Sequence, residues 1–370
     1  MKFLLISPKN RTVYNFRGDL VRELIRRGYE VLVTGPDQTD VERIRELGAV
    51  FYEIPMNKTG TNPLKDLRYC MALYRLMKRE KPDVTLGYTV KPVVYGSIAA
   101  RLAGVQNSNG MVTGGGYVFT ARSAKARLLG SIVRLLYRIG FSCCRHVIFQ
   151  NPDDLREFCA LGLVKENKCG VVNGSGVNME RFQPAPLPET VTFFMLSRLL
   201  KSKGVTEYLE AARIVKSKYP SARFWLLGKY EDQMQDAVPK EQMEPYLADG
   251  TVERFDETSD VRPYYAGCSV YVLPSYREGT PRTVLEAMAM GRPIITTDAN
   301  GCRETVLDGV NGYLVPVGDP AALAEKMCLF AEDPALATRM GLESLTLCRE
   351  KFEVGRVNQR MLELMEVGAE

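Results

Sequence analysis

Two stretches in the second half of the chain carry residue types suited to one kind of chemistry. In the first, Ser197-Arg198-Leu199-Leu200-Lys201-Ser202-Lys203-Gly204, an apolar run ends at Arg198 and a helix start follows Lys203. Arginine offers a planar fork of donors and lysine a point charge, so the pair can flank a diphosphate. In the second, the apolar run Val270–Leu273 enters a loop rich in Gly and Pro, and the loop enters a helix. Gly279 lets backbone approach a ligand closely, and the helix start near Pro281 offers free N–H groups to a phosphate. Glu278 sits on the loop and Glu286 a turn or more into the helix. Ionised carboxylates only accept hydrogen bonds, which suits the paired hydroxyls of a sugar or a ribose. Either stretch alone also reads as solvated loop charge. Together they compose a site for a diphosphate and a polyol.

The elements that must position these residues follow from the apolar pattern. In the first half, strand candidates are Lys2–Ile6, Glu30–Thr34, Val50–Glu53, Asp83–Leu86, Gln106–Gly110, His146–Gln150 and Lys168–Val172. Helix candidates lie between them at 16–27, 38–47, 64–80, 93–104, 124–141 and 152–161. The second half repeats the alternation, with strands near 192–197, 222–227, 251–254, 269–273, 293–296 and 312–315. Strands separated by helices of this length read as βαβ units around a parallel sheet. The fold class is α/β: two Rossmann-like domains facing a central cleft. Residues 1–172 form the first domain, expected to bind the acceptor. Residues 173–190, with Pro184, Pro186 and Pro188, form a linker. Residues 191–350 form the second, nucleotide-binding domain, and 351–370 a C-terminal helix free to pack back on the first. Open sheets of this kind bind ligands at the carboxyl ends of their strands.

Composition excludes several alternatives. A chain of 370 residues, 45% hydrophobic and 25% charged, is an ordinary globular one. The single His146 rules out a two-His metal site, and at the head of HVIF it reads as structural. Trp225, in FWLLG, reads as core. No Asp-x-Asp occurs, so no metal is expected to hold a diphosphate. Nine cysteines without CxxC spacing, with Cys143 and Cys144 adjacent, fit reduced thiols in a cytoplasmic protein. Gly114–Gly116 does not fit the strand–GxGxxG–helix register of a dinucleotide loop. The run Phe3–Ser7 reads as a strand rather than a signal peptide, and no segment approaches the ~20 apolar residues of a membrane span.

Charge is divided unevenly. Residues 1–170 carry 27 Lys+Arg against 15 Asp+Glu, and residues 171–370 carry 22 against 29. No acid occurs between Asp83 and Asp153. Within that run, Ala121–Arg145 places Leu128, Leu129, Ile132, Leu135, Leu136 and Ile139 near helical spacing, with basic residues around them. A basic amphipathic helix reads as a membrane-surface element, with Arg122, Lys125 and Arg127 touching anionic lipid. No nucleic-acid motif is present.

The combination SRLLKSKG and PSYREGTPRTVLEAMAMGRPIITTDANGCRETVLDGVNGYLV resembles glycosyltransferase family 4, retaining enzymes of GT-B architecture. SPKNRTVYNFRGDLVRELIRRGYEV, GMVTGGGYVF, VIFQNPDDLREF and NGSGVNMERF extend the resemblance over nearly the whole chain. It is similar to the branch that extends polyprenyl-diphosphate-linked or capsular saccharides. The resemblance implies transfer of a sugar, an N-acetylhexosamine by expectation, from a UDP-sugar to a polyprenyl-diphosphate-linked saccharide with retention and without a metal cofactor. The enzyme would sit peripherally on the inner face of the cell membrane. Arg198 and Lys203 would neutralise the departing diphosphate, and Glu278 would bind donor-sugar hydroxyls. Gly279, Thr280 and Pro281 would line the sugar and phosphates, and Glu286 would hold the ribose. Gly18 would meet donor phosphate, with Asn15, Phe16 and Arg17 beside it. Gly114 and Tyr117 lie in the segment where many relatives carry a His or Asp, which this chain lacks. The alternatives weighed are a UDP-sugar epimerase on the same scaffold and a non-catalytic membrane-binding relative.

Overall fold

The structure is a computed structural model. It describes residues 1–57, 62–114, 124–231, 233–234 and 236–368, apart from the side chains of 124–129. The chain forms two compact units, Met1–Gly176 with Val354–Glu370, and Val177–Glu353.

In the first unit the strands are β1 (Lys2–Ile6), β2 (Glu30–Gly35), β3 (Val50–Glu53), β4 (Val84–Tyr88), β5 (Asn107–Val112), β6 (His146–Phe149) and β7 (Cys169–Val171). They pair in parallel in the order β3-β2-β1-β4-β5-β6-β7. The helices between them are α1 (Asn10–Phe16), α2 (Gly18–Arg26), α3 (Val41–Arg45), α4 (Pro63–Glu80), α5 (Val90–Ala103), α6 (Ala124–Cys143) and α7 (Pro152–Ala160). Side chains alternate across a strand, so a sheet covered on both faces needs near-continuous apolar runs. On β1, Phe3 and Leu5 join the cluster that includes Val13, Leu20 and Leu24. Leu4 and Ile6 join the opposite cluster with Tyr69, Leu73 and Met77.

The second unit repeats the plan. Its strands are β8 (Thr192–Leu196), β9 (Arg223–Leu227), β10 (Glu253–Phe255), β11 (Val270–Leu273), β12 (Ile294–Thr297) and β13 (Gly312–Val315). They form a parallel sheet in the order β10-β9-β8-β11-β12-β13. The helices are α8 (Val205–Lys218), α9 (Lys240–Ala248), α10 (Arg262–Ala266), α11 (Arg282–Ala289), α12 (Pro320–Glu332) and α13 (Ala335–Leu347). Aromatic rings fill this core, with Phe193 stacked on Phe224 at 5.1 Å and Phe194 edge-on to Tyr265 at 5.4 Å. The last helix, α14 (Val354–Leu364), returns to the first unit, where Val357, Met361 and Leu362 join the cluster containing Leu20 and Leu24.

Three local readings differ from the sequence expectation. The helix expected over 16–27 is α2, which starts at Gly18, and a separate helix that the sequence reading did not nominate, α1, precedes it, with the break at Arg17, whose φ is −128° and ψ 1°. Helix α3 is shorter than 38–47 because Asp40, at φ 58°, precedes it. The segment 177–190 belongs to the second unit rather than hanging as a spacer. The Val177 N–H donates to the Phe352 carbonyl at 2.8 Å. The Arg292 guanidinium, only 1% exposed, donates to the carbonyls of Ala185 (2.8 Å) and Pro186 (3.0 Å).

Candidate functional site

The carboxyl edge of the second sheet gathers the residues nominated from sequence. After β8 the chain passes through Ser197 and Arg198, and Leu199 and Leu200 then turn into the core. A single 3₁₀ turn, Lys201–Lys203, leads to Gly204 at φ 74° and into α8. A Cβ at Gly204 would lie 2.1 Å from the Pro274 carbonyl oxygen. This loop therefore lies directly against the loop after β11, and only glycine allows it. The Ser202 carbonyl accepts from the Tyr276 N–H (2.9 Å) and the Ser275 hydroxyl (3.2 Å), which locks the two loops together.

That contact brings Lys203 and Glu278 into an ion pair, with Nζ 2.5 Å from Oε1 and side chains 20% and 15% exposed. The end of β12 and the loop after it brace the backbone that carries Glu278. The Glu278 N–H donates to the Asn300 carbonyl at 2.9 Å, and the Thr297 hydroxyl donates to the Ser275 carbonyl. Beside Glu278, burial pushes the Cys302 thiol up to about 12, so this neutral group does not compete as a nucleophile. Arg198 is exposed at the end of β8. Thr280 is buried, with its hydroxyl 2.9 Å from the Gly279 carbonyl, and Pro281 precedes the first turn of α11.

Glu286 occupies a separate setting one helix turn inward. Arg282 Nε donates to its Oε1 at 3.2 Å, and the Tyr265 hydroxyl lies 3.1 Å from its Oε2 and 3.0 Å from the Thr283 carbonyl. Burial raises the Glu286 carboxyl above the ordinary carboxylate range, with Arg282 and Tyr265 pulling the other way. Sequence reasoning missed both partners. Arg282 was visible as an i,i+4 neighbour of Glu286. Tyr265 comes from the short α10, twenty-one positions earlier, and left no local signal.

In the first unit the carboxyl edge holds a different set. Arg17, 2% exposed, lies over the Tyr88 ring at 5.6 Å, with Nη2 2.8 Å from Met111 Sδ. The Tyr88 hydroxyl bonds Ser7 Oγ (2.7 Å) and Thr12 Oγ1 (2.8 Å). The ends of β1, β4 and β5 thus converge on Arg17. Gly18 is buried, and a Cβ there would meet only Leu47 and Arg22 atoms at 3.6–3.8 Å. The fold itself therefore does not demand glycine at 18. Asn15 is partly exposed, Phe16 is exposed, and Gly114 follows β5 at φ 128°. Tyr117 and Arg122 lie outside the described residues, as do the side chains of Lys125 and Arg127. His146 Nε2 lies 3.2 Å from Glu366 Oε1. All nine cysteines are free. Among the described residues no helix is long and apolar enough to cross a membrane.

Comparison with known proteins fits this architecture. A family model of 4-like glycosyl transferases matches residues 2–151, and one of glycosyl transferases group 1 matches residues 190–333. The N,N'-diacetylbacillosaminyl-diphospho-undecaprenol alpha-1,3-N-acetylgalactosaminyltransferase of Campylobacter jejuni is 27% identical, covering 99% of this chain and 98% of its own. The UDP-Gal:alpha-D-GlcNAc-diphosphoundecaprenol alpha-1,3-galactosyltransferase of Escherichia coli is 28% identical over 74% of this chain and 72% of its own. The structure of Anabaena HepE in complex with UDP and glucose superposes with a TM-score of 0.81 at 18% identity, over 99% of both chains. Sucrose-phosphate synthase of Thermosynechococcus elongatus gives 0.80 at 18% identity, over 99% of this chain and 98% of its own. With a 4-like region on the first sheet and a group 1 region on the second, the chain belongs to the glycosyltransferases of GT-B fold.

Proposed function

We propose that this glycosyltransferase moves a hexosyl unit, an N-acetylhexosamine by preference, from a UDP-sugar to a polyprenyl-diphosphate-linked saccharide, with retention and without a metal. The observation that carries the site assignment is the 2.5 Å pairing of Lys203 with Glu278, with Glu286 held nearby. The two relatives named for transfer onto diphospho-undecaprenol-linked sugars support the acceptor class.

In this reading Arg198 and Lys203 meet the diphosphate in place of a metal. Their charge stabilises the negative charge that develops as the anomeric C–O bond to phosphate breaks. Glu278 orients the donor-sugar hydroxyls, and Gly279, Thr280 and Pro281 line the sugar and phosphates. Glu286 accepts from the ribose hydroxyls. Gly18 leaves room for donor phosphate, and Asn15, Phe16, Arg17, Gly114 and Tyr117 border the acceptor. The acceptor hydroxyl attacks from the face the diphosphate leaves, and its proton passes to the departing phosphate oxygen, so no protein base is required. The reaction takes place at the cytoplasmic face of a membrane that holds the acceptor.

The test is transfer of radiolabelled sugar from a panel of UDP- and GDP-sugars to polyprenyl-diphosphate saccharides, with the product's anomeric configuration read by NMR. Transfer from a UDP-sugar, lost in Lys203→Ala and Glu278→Ala, is expected. Undiminished transfer in both variants overturns the site, and an inverted product overturns retention.

A further inference from the structure

The surface of α4 carries an arrangement that the donor site does not explain. Asn62 caps the helix by accepting from the Lys65 N–H at 3.1 Å, and Pro63 opens its first turn. Tyr69, Cys70, Leu73, Leu76 and Met77 pack inward. Asp66 also turns inward. It is 6% exposed and accepts from Lys91 Nζ at 2.6 Å and the Tyr95 hydroxyl at 3.1 Å, both on α5. The helix thus ties itself to α5 and withdraws the Asp66 charge from solvent.

What remains outside is apolar and cationic. Leu64, Leu67 and Met71 fall within about 60° of arc at helical spacing, and they are 71%, 59% and 38% exposed. Lys65, Arg68, Arg75 and Lys78 surround them, all exposed. None of the four side chains makes an ion pair among the described residues. The next acid, Glu80, is taken up by Arg79 and Lys2. Helix α6, on the far side of α5 in the same layer, also exposes Ile132, Leu135 and Ile139.

We propose that this outward face of α4 is a docking surface for an anionic lipid bilayer. An apolar stripe flanked by unpaired cations is the pattern of a helix lying in a headgroup layer, its stripe in the acyl boundary and its cations on acidic headgroups. A second copy of the chain fits poorly, because a two-fold contact would set four cations against four. The assignment deepens the lipid-linked acceptor reading and rests on it: a chain whose acceptor is held in a membrane must reach that surface.

The experiment uses the full chain and vesicles of phosphatidylcholine alone or with 30 mol% (about) phosphatidylglycerol. Wild type is expected to co-sediment with the anionic vesicles only. Arg68→Glu/Arg75→Glu/Lys78→Glu is expected to weaken binding at least about 100-fold, from about fivefold per cation lost. Leu64→Gln/Leu67→Gln/Met71→Gln is expected to weaken it at least about tenfold. Lys218→Glu/Arg349→Glu, on the second unit, serves as control and is expected to bind like wild type. Circular dichroism verifies that each variant is folded. Wild-type failure to bind anionic vesicles overturns the proposal, as does unchanged binding of both α4 variants. Loss of self-association or of oligonucleotide binding without loss of vesicle binding also overturns it. Transfer to a short-chain, water-soluble acceptor is measured in parallel and is expected to be unchanged in the α4 variants. Its absence in wild type would sink the proposed reaction and leave the vesicle result standing.

Discussion

Replacing Glu278 by Gln is expected to move two properties in opposite directions. Lys203 and Glu278 are paired at 2.5 Å in a setting only 15–20% exposed. Unit charges about 4 Å apart interact by about 4 kcal/mol at an effective dielectric near 20. A diphosphate that takes over Lys203 must displace this carboxylate or bring its own negative charge beside it. Either way Glu278 opposes UDP in the free enzyme. Desolvation and side-chain freedom cancel much of the Coulomb energy, leaving about 1–2 kcal/mol. Glu278→Gln is therefore expected to bind UDP about 5- to 30-fold more tightly by calorimetry. The same variant loses the charged acceptor for the sugar hydroxyls, a hydrogen bond of about 1.5–3 kcal/mol, so kcat falls about 10- to 150-fold. Lys203→Met is expected to weaken UDP by a similar factor. If Glu278→Gln binds UDP more weakly than wild type, the carboxylate is a binding group rather than a competitor, and this reasoning fails.

Three further outcomes follow from the geometry. Glu286→Ala should raise the donor KM about 10- to 100-fold, the worth of one charged hydrogen bond, and should no longer distinguish UDP from its 2'-deoxy analogue; equal affinity for the two ligands in wild type would rule out the ribose role. Because burial raises the Glu286 carboxyl in the folded chain, the folded state holds this proton more tightly than the unfolded one, so its contribution to stability declines as pH rises from the unfolded value near 4.5 through the raised one; Glu286→Gln should remove that slope from Tm against pH, and UDP affinity in wild type should fall as pH drops through the same window. Gly204→Ala places a Cβ against the Pro274 carbonyl at a left-handed φ, so a loss of at least about 3 kcal/mol in thermal unfolding is expected, whereas Gly18→Ala, with only ordinary contacts, should keep wild-type stability while donor turnover falls.

Much of the fold was legible because buried parallel strands must be apolar on both faces. TFFML on β8 and VYVL on β11 stand out from any surface helix. The residues nominated for a donor site could be picked out because most lie on strand-to-helix loops at the sheet's carboxyl edge, with Glu286 just inside the helix that follows. Their pairing could not. Lys203 and Glu278 were nominated for different parts of a ligand, and a separation of seventy-five positions hides the contact between them. Arg17 was nominated but not placed: the helix expected over 16–27 ran straight through it and so missed the break that sets it over Tyr88. The helix over 64–80 was expected, but the outward face of α4 escaped notice for a different reason. The helix is apolar on two faces, and a one-dimensional pattern cannot tell which face the sheet covers.

Pairing separates two kinds of anion recognition in this chain. At the loops nominated for the donor, Glu278 neutralises Lys203 and Arg282 neutralises Glu286, so on the proposed reading a nucleotide would enter by exchanging one partner for another. Exchange inside a partly buried site is weakly screened, and it is selective because the displaced carboxylate must find a new acceptor role on the ligand's hydroxyls. On α4 Asp66 has been turned inward, Glu80 is taken up by Arg79 and Lys2, and Lys65, Arg68, Arg75 and Lys78 face solvent without an ion pair among the described residues. Such charges meet any anionic surface additively and are screened within about 10 Å at 0.1 M salt. Raising ionic strength should therefore strip the chain from anionic vesicles well before it weakens UDP.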